Sequence, residues 1–161
     1  MREIVLILHI FLGIIWVGGI LFIGWGVFPA VMKMSYQSQR QFLTSLMRWS
    51  HPLLTAAGMG VGITGILLGA ILGPVKSWDF LWNTAYGNIW LAALLVGGFT
   101  LLWGIGIGYR ETMLVLTDDY FWQEAEKGNG KPLFRQLFRI AVLESFEIAG
   151  FLVLIILMMK I

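Results

Sequence analysis

The chain has 161 residues, of which 58% are hydrophobic and only 12% charged, and it carries a formal net charge of +2. A soluble domain has about 25% charged residues and a small fold leaves much of its surface in water, so this composition excludes a soluble globular enzyme. The low net charge, with no dense basic patch, excludes a nucleic-acid binder, and the absence of cysteine excludes disulfides, iron–sulfur clusters and thiolate metal sites.

Four stretches of the sequence are almost free of charge and are long enough to cross a bilayer, which takes roughly 20 apolar residues. They lie at residues 4–32, 49–75, 80–109 and about 133–159. We therefore predict a single domain over residues 1–161, an all-α membrane protein with an antiparallel bundle of four transmembrane helices at about 3–32, 40–73, 80–112 and 133–159. The first stretch is too long and lacks the small-residue cleavage site of a signal peptide.

The distribution of Lys and Arg predicts the orientation of the helices, because cytoplasmic loops carry an excess of these residues. Eight of the 11 lie in or beside the first and third loops, namely Lys33, Arg40, Arg48, Arg110, Lys127, Lys131, Arg135 and Arg139. We expect these loops on the cytoplasmic side, both termini on the outer side, and the protein in the cell membrane, with the bacterial inner membrane as the expected location.

The beginning of the second helix has two interpretations. Proline suits the first turn of a helix, and Ser50 is able to cap it, so the helix begins near His51 in one interpretation. In the other, a longer helix begins near Tyr36 and is kinked at Pro52. A turn is predicted at Gly128-Asn129-Gly130, ahead of Pro132 and the fourth helix.

Glycines four residues apart recur in the second and third helices. The pairs are Gly58/Gly62, Gly65/Gly69, Gly69/Gly73 and Gly104/Gly108. In lipid, such spacing allows close approach of helix backbones. We expect tight helix–helix contacts here, and the same faces would permit a homodimer or a flat cofactor lying over them.

Ionisable side chains within the apolar stretches are costly, at about 2.5–3.5 kcal/mol for a charge at a helix centre on insertion scales. Such residues need partners or a function. The candidate metal ligands are His9, His51, Glu144 and Glu147, with Arg48 and Arg139 as neighbours that pair with or orient them. Trp16 shares a helix face with His9, and these two are the candidate cofactor-binding residues.

Depth along the helices separates these candidates. Glu144 and Glu147 share one face of the fourth helix, roughly 17–21 Å from its cytoplasmic end at 1.5 Å per residue. His51 is level with them only if the second helix begins near Tyr36. His9 lies about 10 Å or more closer to the outer side in either case, which disfavours a haem held by both histidines. A single axial histidine and a His/Glu metal site both remain open.

The segment from His9 to Gly19, with His9, Trp16 and the Gly18-Gly19 pair, resembles the opening helix of CopD-like integral membrane proteins, and Thr64-Gly65 is also similar to this group. The group includes the copper-resistance protein D domain and, more distantly, HemJ-type protoporphyrinogen oxidases. The resemblance implies a copper or haem role, and the haem-associated histidine of HemJ-type proteins would correspond to His9.

These observations lead to three hypotheses. The first is a membrane metalloprotein with buried copper or haem iron that acts, as an oxidoreductase would, on a small membrane-permeable molecule such as a diatomic gas or a quinone. The second is a copper or haem transport or assembly factor without turnover of its own. The third is a structural bundle in which the glutamates form ion pairs with the arginines.

Overall fold

A computed structural model describes residues 1–160, and in this range the regular structure is entirely helical. The helices are α1 (Arg2–Val31), α2 (Tyr36–Ile71), α3 (Trp78–Asn83), α4 (Ala85–Thr117), α5 (Asp119–Glu126) and α6 (Lys131–Met158). The four long helices α1, α2, α4 and α6 are each long and apolar enough to cross a membrane. The prediction of four such helices is therefore confirmed at the level of length and composition.

Side-chain caps fix where several of these helices begin. The Ser35 hydroxyl accepts a hydrogen bond from the Ser38 amide at the start of α2, at 3.4 Å. The Thr84 hydroxyl accepts one from the Gly87 amide at the start of α4, at 3.0 Å. Thr84 has extended backbone angles, so the helix predicted from residue 80 is interrupted there, and the first part of it is the separate short helix α3.

Helix α2 is continuous through Pro52, which lies in its interior. The interpretation in which this helix begins near Tyr36 is therefore the one that the structure adopts. Ser50 does not cap a helix, since its hydroxyl donates to the Leu46 carbonyl one turn earlier, at 2.8 Å. His51 consequently lies well inside α2 and not at its end.

Wider π-helical turns interrupt three of the long helices. They occupy Ile14–Gly18 and Ile23–Val27 in α1, Leu67–Ile71 at the end of α2, and Gly104–Gly108 in α4. Such turns leave main-chain groups out of register with the α-helical pattern and are frequent at functional sites. The predicted turn before α6 is also present, and Gly128 adopts a positive φ of 93° there, a conformation that glycine reaches without steric cost.

The helices pack around two clusters of buried apolar side chains. The larger, which we call the α5-end cluster, joins one end of each long helix to α5 and consists of Val31, Leu43, Val115, Leu116, Trp122, Ala125, Leu133 and Leu137. The smaller, which we call the Trp16 cluster, consists of Trp16, Ala57 and Phe151 from α1, α2 and α6. The two apolar clusters thus hold the bundle together at two levels, and the side chains that lie between these levels belong to neither cluster.

Candidate functional site

A cavity of about 260 Å³ lies between α1, α2, α4 and α6. Its walls include members or neighbours of both clusters, such as Leu43 and Leu116 at one end and Trp16 and Leu101 at the other. Three of the four π-helical turns contribute to it, through Trp16, Ile23 and Gly104. Most of the wall is apolar, and the polar side chains that line it are Ser50, His51, Thr55, Tyr109, Thr112, Glu144 and Glu147.

Glu144 and Glu147 lie side by side on α6, with their carboxyl groups in contact. Glu147 is 4% exposed, and it is the only Asp, Glu, Lys or Arg among the buried residues of the described chain. Both carboxyl groups face the π-helical turn of α4. A Cβ added at Gly104 would lie 2.5 Å from Glu147 Oε1, and one added at Gly108 would lie 2.8 Å from Glu144 Oε1. These two glycines therefore provide the space that the glutamates occupy.

The arginines expected beside the glutamates lie elsewhere. Arg139 forms an ion pair with Glu111, at 2.6 Å, and Arg48 is exposed. Over residues 1–160 the ion pairs are Arg40–Asp119, Lys127–Glu124 and Arg139–Glu111, and none includes Glu144 or Glu147. The expectation that Arg48 and Arg139 pair with the glutamates is therefore corrected. Arg139 is instead paired with Glu111, which lies nearer the end of the bundle than Glu144 and Glu147 do.

One further polar group lies beside this carboxyl pair. The Thr112 side chain is next to Glu144, and its hydroxyl is buried without a hydrogen-bond partner of good geometry among the described residues. Buried polar groups are nearly always satisfied. The Thr112 hydroxyl is thus free to turn toward Glu144 or toward a bound molecule.

His51 is half-buried at the same level as Glu144. Its ring stacks on Tyr109, with the ring centroids 3.7 Å apart and the planes 11° apart, and Tyr109 directly follows the glycine that faces Glu144. The stacking fixes the plane of the imidazole and covers one face of it. His51 and the two glutamates therefore line one cavity, as the longer interpretation of α2 predicts.

His9 lies in a different part of the bundle. Its Nδ1 is 2.8 Å from Thr64 Oγ1, and the Thr64 hydroxyl donates to the Gly60 carbonyl at 2.6 Å. Thr64 Oγ1 is therefore placed to accept from His9 when Nδ1 carries the ring proton. Because Thr64 is about 20 Å from His51 along α2 at 1.5 Å per residue, the two histidines are too far apart to bind one metal ion.

Over residues 1–160, no group of three or more His, Asp or Glu side chains is arranged to hold a metal ion. The four predicted ligands His9, His51, Glu144 and Glu147 therefore do not form one site, because His9 contacts the distant Thr64 turn of α2. The argument from depth against a haem held by both histidines agrees with this geometry.

Trp16, the other candidate cofactor-binding residue, is 3% exposed and borders the cavity. Its ring contacts Phe151 edge-on, at 5.1 Å between centroids, and it covers Gly58 on α2. It therefore belongs both to the packing of the Trp16 cluster and to the cavity wall.

The sequence pattern did not identify Tyr109 and Thr112 as residues of this site. Gly104 and Gly108 were recognised by their spacing but interpreted as a helix–helix contact. Thr112 follows Gly108 by four residues, the spacing of side chains on one helix face, and this was the signal available for it.

Comparisons with protein-family models, with curated protein sequences and with solved structures find no match to this chain. The resemblance of α1 to CopD-like proteins therefore stays a prediction. The functional argument for this protein accordingly depends on its own cavity.

Proposed function

We propose that this chain is an integral membrane protein whose four long helices cross the bilayer as an antiparallel bundle, with both termini on the outer side. The apolar length of the four helices supports the crossing, and the distribution of Lys and Arg supports the orientation. On this proposal, α5 and the α5-end cluster lie on the cytoplasmic side, and the bacterial inner membrane is the proposed location.

We further propose that the cavity binds a small membrane-permeable molecule, such as a quinone or a diatomic gas. One observation carries this proposal: two adjacent carboxyl groups and an imidazole line a cavity whose walls are otherwise mostly apolar. A few polar groups within an apolar pocket are typical of small-molecule sites. The apolar body of the ligand would contact residues such as Ile20 and Leu101, while its polar end would meet Glu144, Glu147 and the Thr112 hydroxyl.

A second candidate function is that of a redox metalloprotein with copper or haem iron. The specific observation in its favour is that His51, Glu144 and Glu147 line the same cavity, and imidazole and carboxylate suit copper and iron. These side chains do not form a metal-binding group as they stand in residues 1–160, so this candidate requires them to move together when the metal binds. His9 would be a separate, single ligand in this case. An absorption spectrum and a metal analysis of the purified protein test this candidate, and metal well below one per chain with no Soret band would reject it.

The small-molecule proposal is tested by titrating the purified protein in detergent with a short-chain quinone. Trp16 and Trp25 border the cavity, so a quinone bound there should quench tryptophan fluorescence in a saturable manner. Glu147→Gln should weaken the binding. The matched control is Glu126→Gln on α5, since Glu126 is exposed and does not line this cavity, and it should bind as the wild type does. Quenching that does not saturate, or that is the same in both variants, would reject the proposal.

A further inference from the structure

We infer that the molecule recognised by this cavity is an organic cation with an apolar body, of the class of small aromatic or alkyl amines, which cross a bilayer in their neutral form and are bound as ammonium ions. The inference rests on the proposed function, since it names the class of ligand that the same cavity takes. It follows from charge, from the aromatic lining and from the size of the cavity, and each of these is an independent feature of the structure.

The first feature is a buried acidic pair without a cationic partner. Glu147 is 4% exposed, and the described part of the chain offers it no ion pair, because the nearest arginine on α6, Arg139, is paired with Glu111. A buried carboxylate that has no counter-charge is strongly disfavoured, and it otherwise becomes neutral by taking up a proton. A positively charged ligand would supply the charge that the protein does not.

The space around the carboxyl pair is shaped to keep it facing the cavity. Gly104 and Gly108 on α4 have no side chains and so leave room for the two carboxyl groups. Both glutamates also line the cavity itself. The Thr112 hydroxyl, next to Glu144, has no hydrogen-bond partner of good geometry among residues 1–160. An ammonium group would therefore meet three oxygen-bearing side chains on one wall.

The second feature is the aromatic lining. Trp16, Trp25, Phe28 and Tyr109 all border the cavity. Aromatic faces attract cations electrostatically, most strongly where water is excluded, and aromatic cages recognise quaternary ammonium ligands. A neutral quinone would gain from the same rings only through apolar contact, whereas a cation gains from both the rings and the carboxyl groups.

The third feature is size. The cavity volume of about 260 Å³ is just under the lower end of the range for ligand pockets, which is roughly 300–1,000 Å³. It suits a molecule with one aromatic ring and a compact head group. Large multi-ring cations exceed it.

The test compares two probes of nearly identical shape, benzyltrimethylammonium and its neutral carbon analogue neopentylbenzene. Neither probe gains or loses a proton, so only the charge differs. Binding is measured by tryptophan fluorescence on the wild type, Glu147→Gln, Glu144→Gln and the control Glu126→Gln in the same detergent. Partition of a probe into detergent is the same for all four proteins, so the ratio of affinities between proteins isolates the effect of the carboxyl group.

We expect benzyltrimethylammonium to bind the wild type and Glu126→Gln at least about tenfold more tightly than it binds Glu147→Gln. Neopentylbenzene should bind all the proteins alike, which also shows that each variant retains its folded cavity. If the cation loses no affinity in either glutamine variant while neopentylbenzene still binds, the inference is overturned and the proposed function stands. If neither probe binds the wild type, the inference is overturned, and the quinone titration decides the proposed function separately.

Discussion

Gly104 and Gly108 determine where the two glutamates of α6 are accommodated. Their spacing predicts a helix contact, and the contact exists, but it is made by carboxyl groups and not by backbone against backbone. Other glycines act in the same way, since Gly65 faces the His9 ring and Gly69 faces the Trp90 indole. The missing Cβ atoms of this bundle thus serve mainly to admit large or polar side chains from neighbouring helices.

Gly104→Ala should be less stable than Gly106→Ala, because the overpacking cost of about 1–3 kcal/mol opposes the gain of about 1 kcal/mol that alanine has over glycine in a helix. A Cβ at Gly104 would lie 2.5 Å from Glu147 Oε1, so the carboxyl group must move. The measurement is thermal unfolding in detergent, together with quinone titration to detect the displaced carboxyl.

The matched control is Gly106→Ala in the same π-helical turn. A Cβ at Gly106 has no neighbour within 4 Å, and alanine is favoured over glycine in a helix by about 1 kcal/mol. Gly106→Ala should therefore leave stability unchanged or raise it. Equal loss in the two variants would contradict the role assigned to Gly104.

The hydrogen bond between His9 and Thr64 should be measurable as a coupling between the two residues. In a cycle of His9→Ala, Thr64→Val and the double variant, we expect a coupling of about 0.6 kcal/mol, the average for such bonds between membrane helices. Unfolding in mixed detergent measures it. If His9 instead binds haem iron, His9→Ala would remove a bound chromophore that Thr64→Val retains, and this outcome would contradict a purely structural role.

Helix α4 begins directly after Thr84 because the Thr84 hydroxyl makes two hydrogen bonds there. It donates to the Phe80 carbonyl in the first turn of α3, at 2.7 Å, and accepts from the Gly87 amide in the first turn of α4. Gly87 allows the chain of α3 to lie close, since a Cβ there would meet the Phe80 carbonyl oxygen at 2.5 Å. The apolar run from residue 80 hides this break, because hydropathy does not register a change of backbone direction.

Thr84→Val should destabilise the protein by about 1 kcal/mol, the usual cost of losing an N-cap. The control is Thr117→Val near the end of α4, whose hydroxyl donates to the Met113 carbonyl within its own helix at 2.8 Å and caps nothing. Denaturant titration of both variants checks this. A loss at Thr117 as large as the loss at Thr84 would be contrary to the capping role.

Among the helices, α2 affects the candidate site most, because the residue at which it begins sets the position of His51. Two beginnings were open from the sequence, and the helix adopts the longer one from Tyr36, with Ser35 as its cap. Ser50 and Pro52 together resemble a helix start, but both occur inside the helix. Local signals were equally good at the two positions, and packing of the residues before Pro52, such as Leu43 in the α5-end cluster, favours the longer helix.

The whole bundle offers a direct test of the proposed orientation. The chain contains no cysteine, so a single introduced cysteine reports the side of the membrane on which it lies. Asn83→Cys, at the last residue of α3, should react with a membrane-impermeant maleimide in intact cells, whereas Asn129→Cys, in the turn before α6, should react only after the cells are opened. Both asparagines are exposed, so accessibility alone does not separate them, and the reverse pattern would invert the orientation.

The sequence by itself determined the four long helices, since hydropathy adds up along the chain and each charge-free stretch needs no information from its neighbours. It also identified Glu144, Glu147, His51 and His9 as unusual. The tertiary structure alone decided which of them meet. In the folded chain the two glutamates pack on Gly104 and Gly108, and His51 stacks on Tyr109. Arg139 pairs with Glu111, and His9 is hydrogen-bonded to Thr64. Such pairings depend on the rotation and depth of each helix relative to the others, and these are fixed by packing between helices and not by any local stretch of sequence.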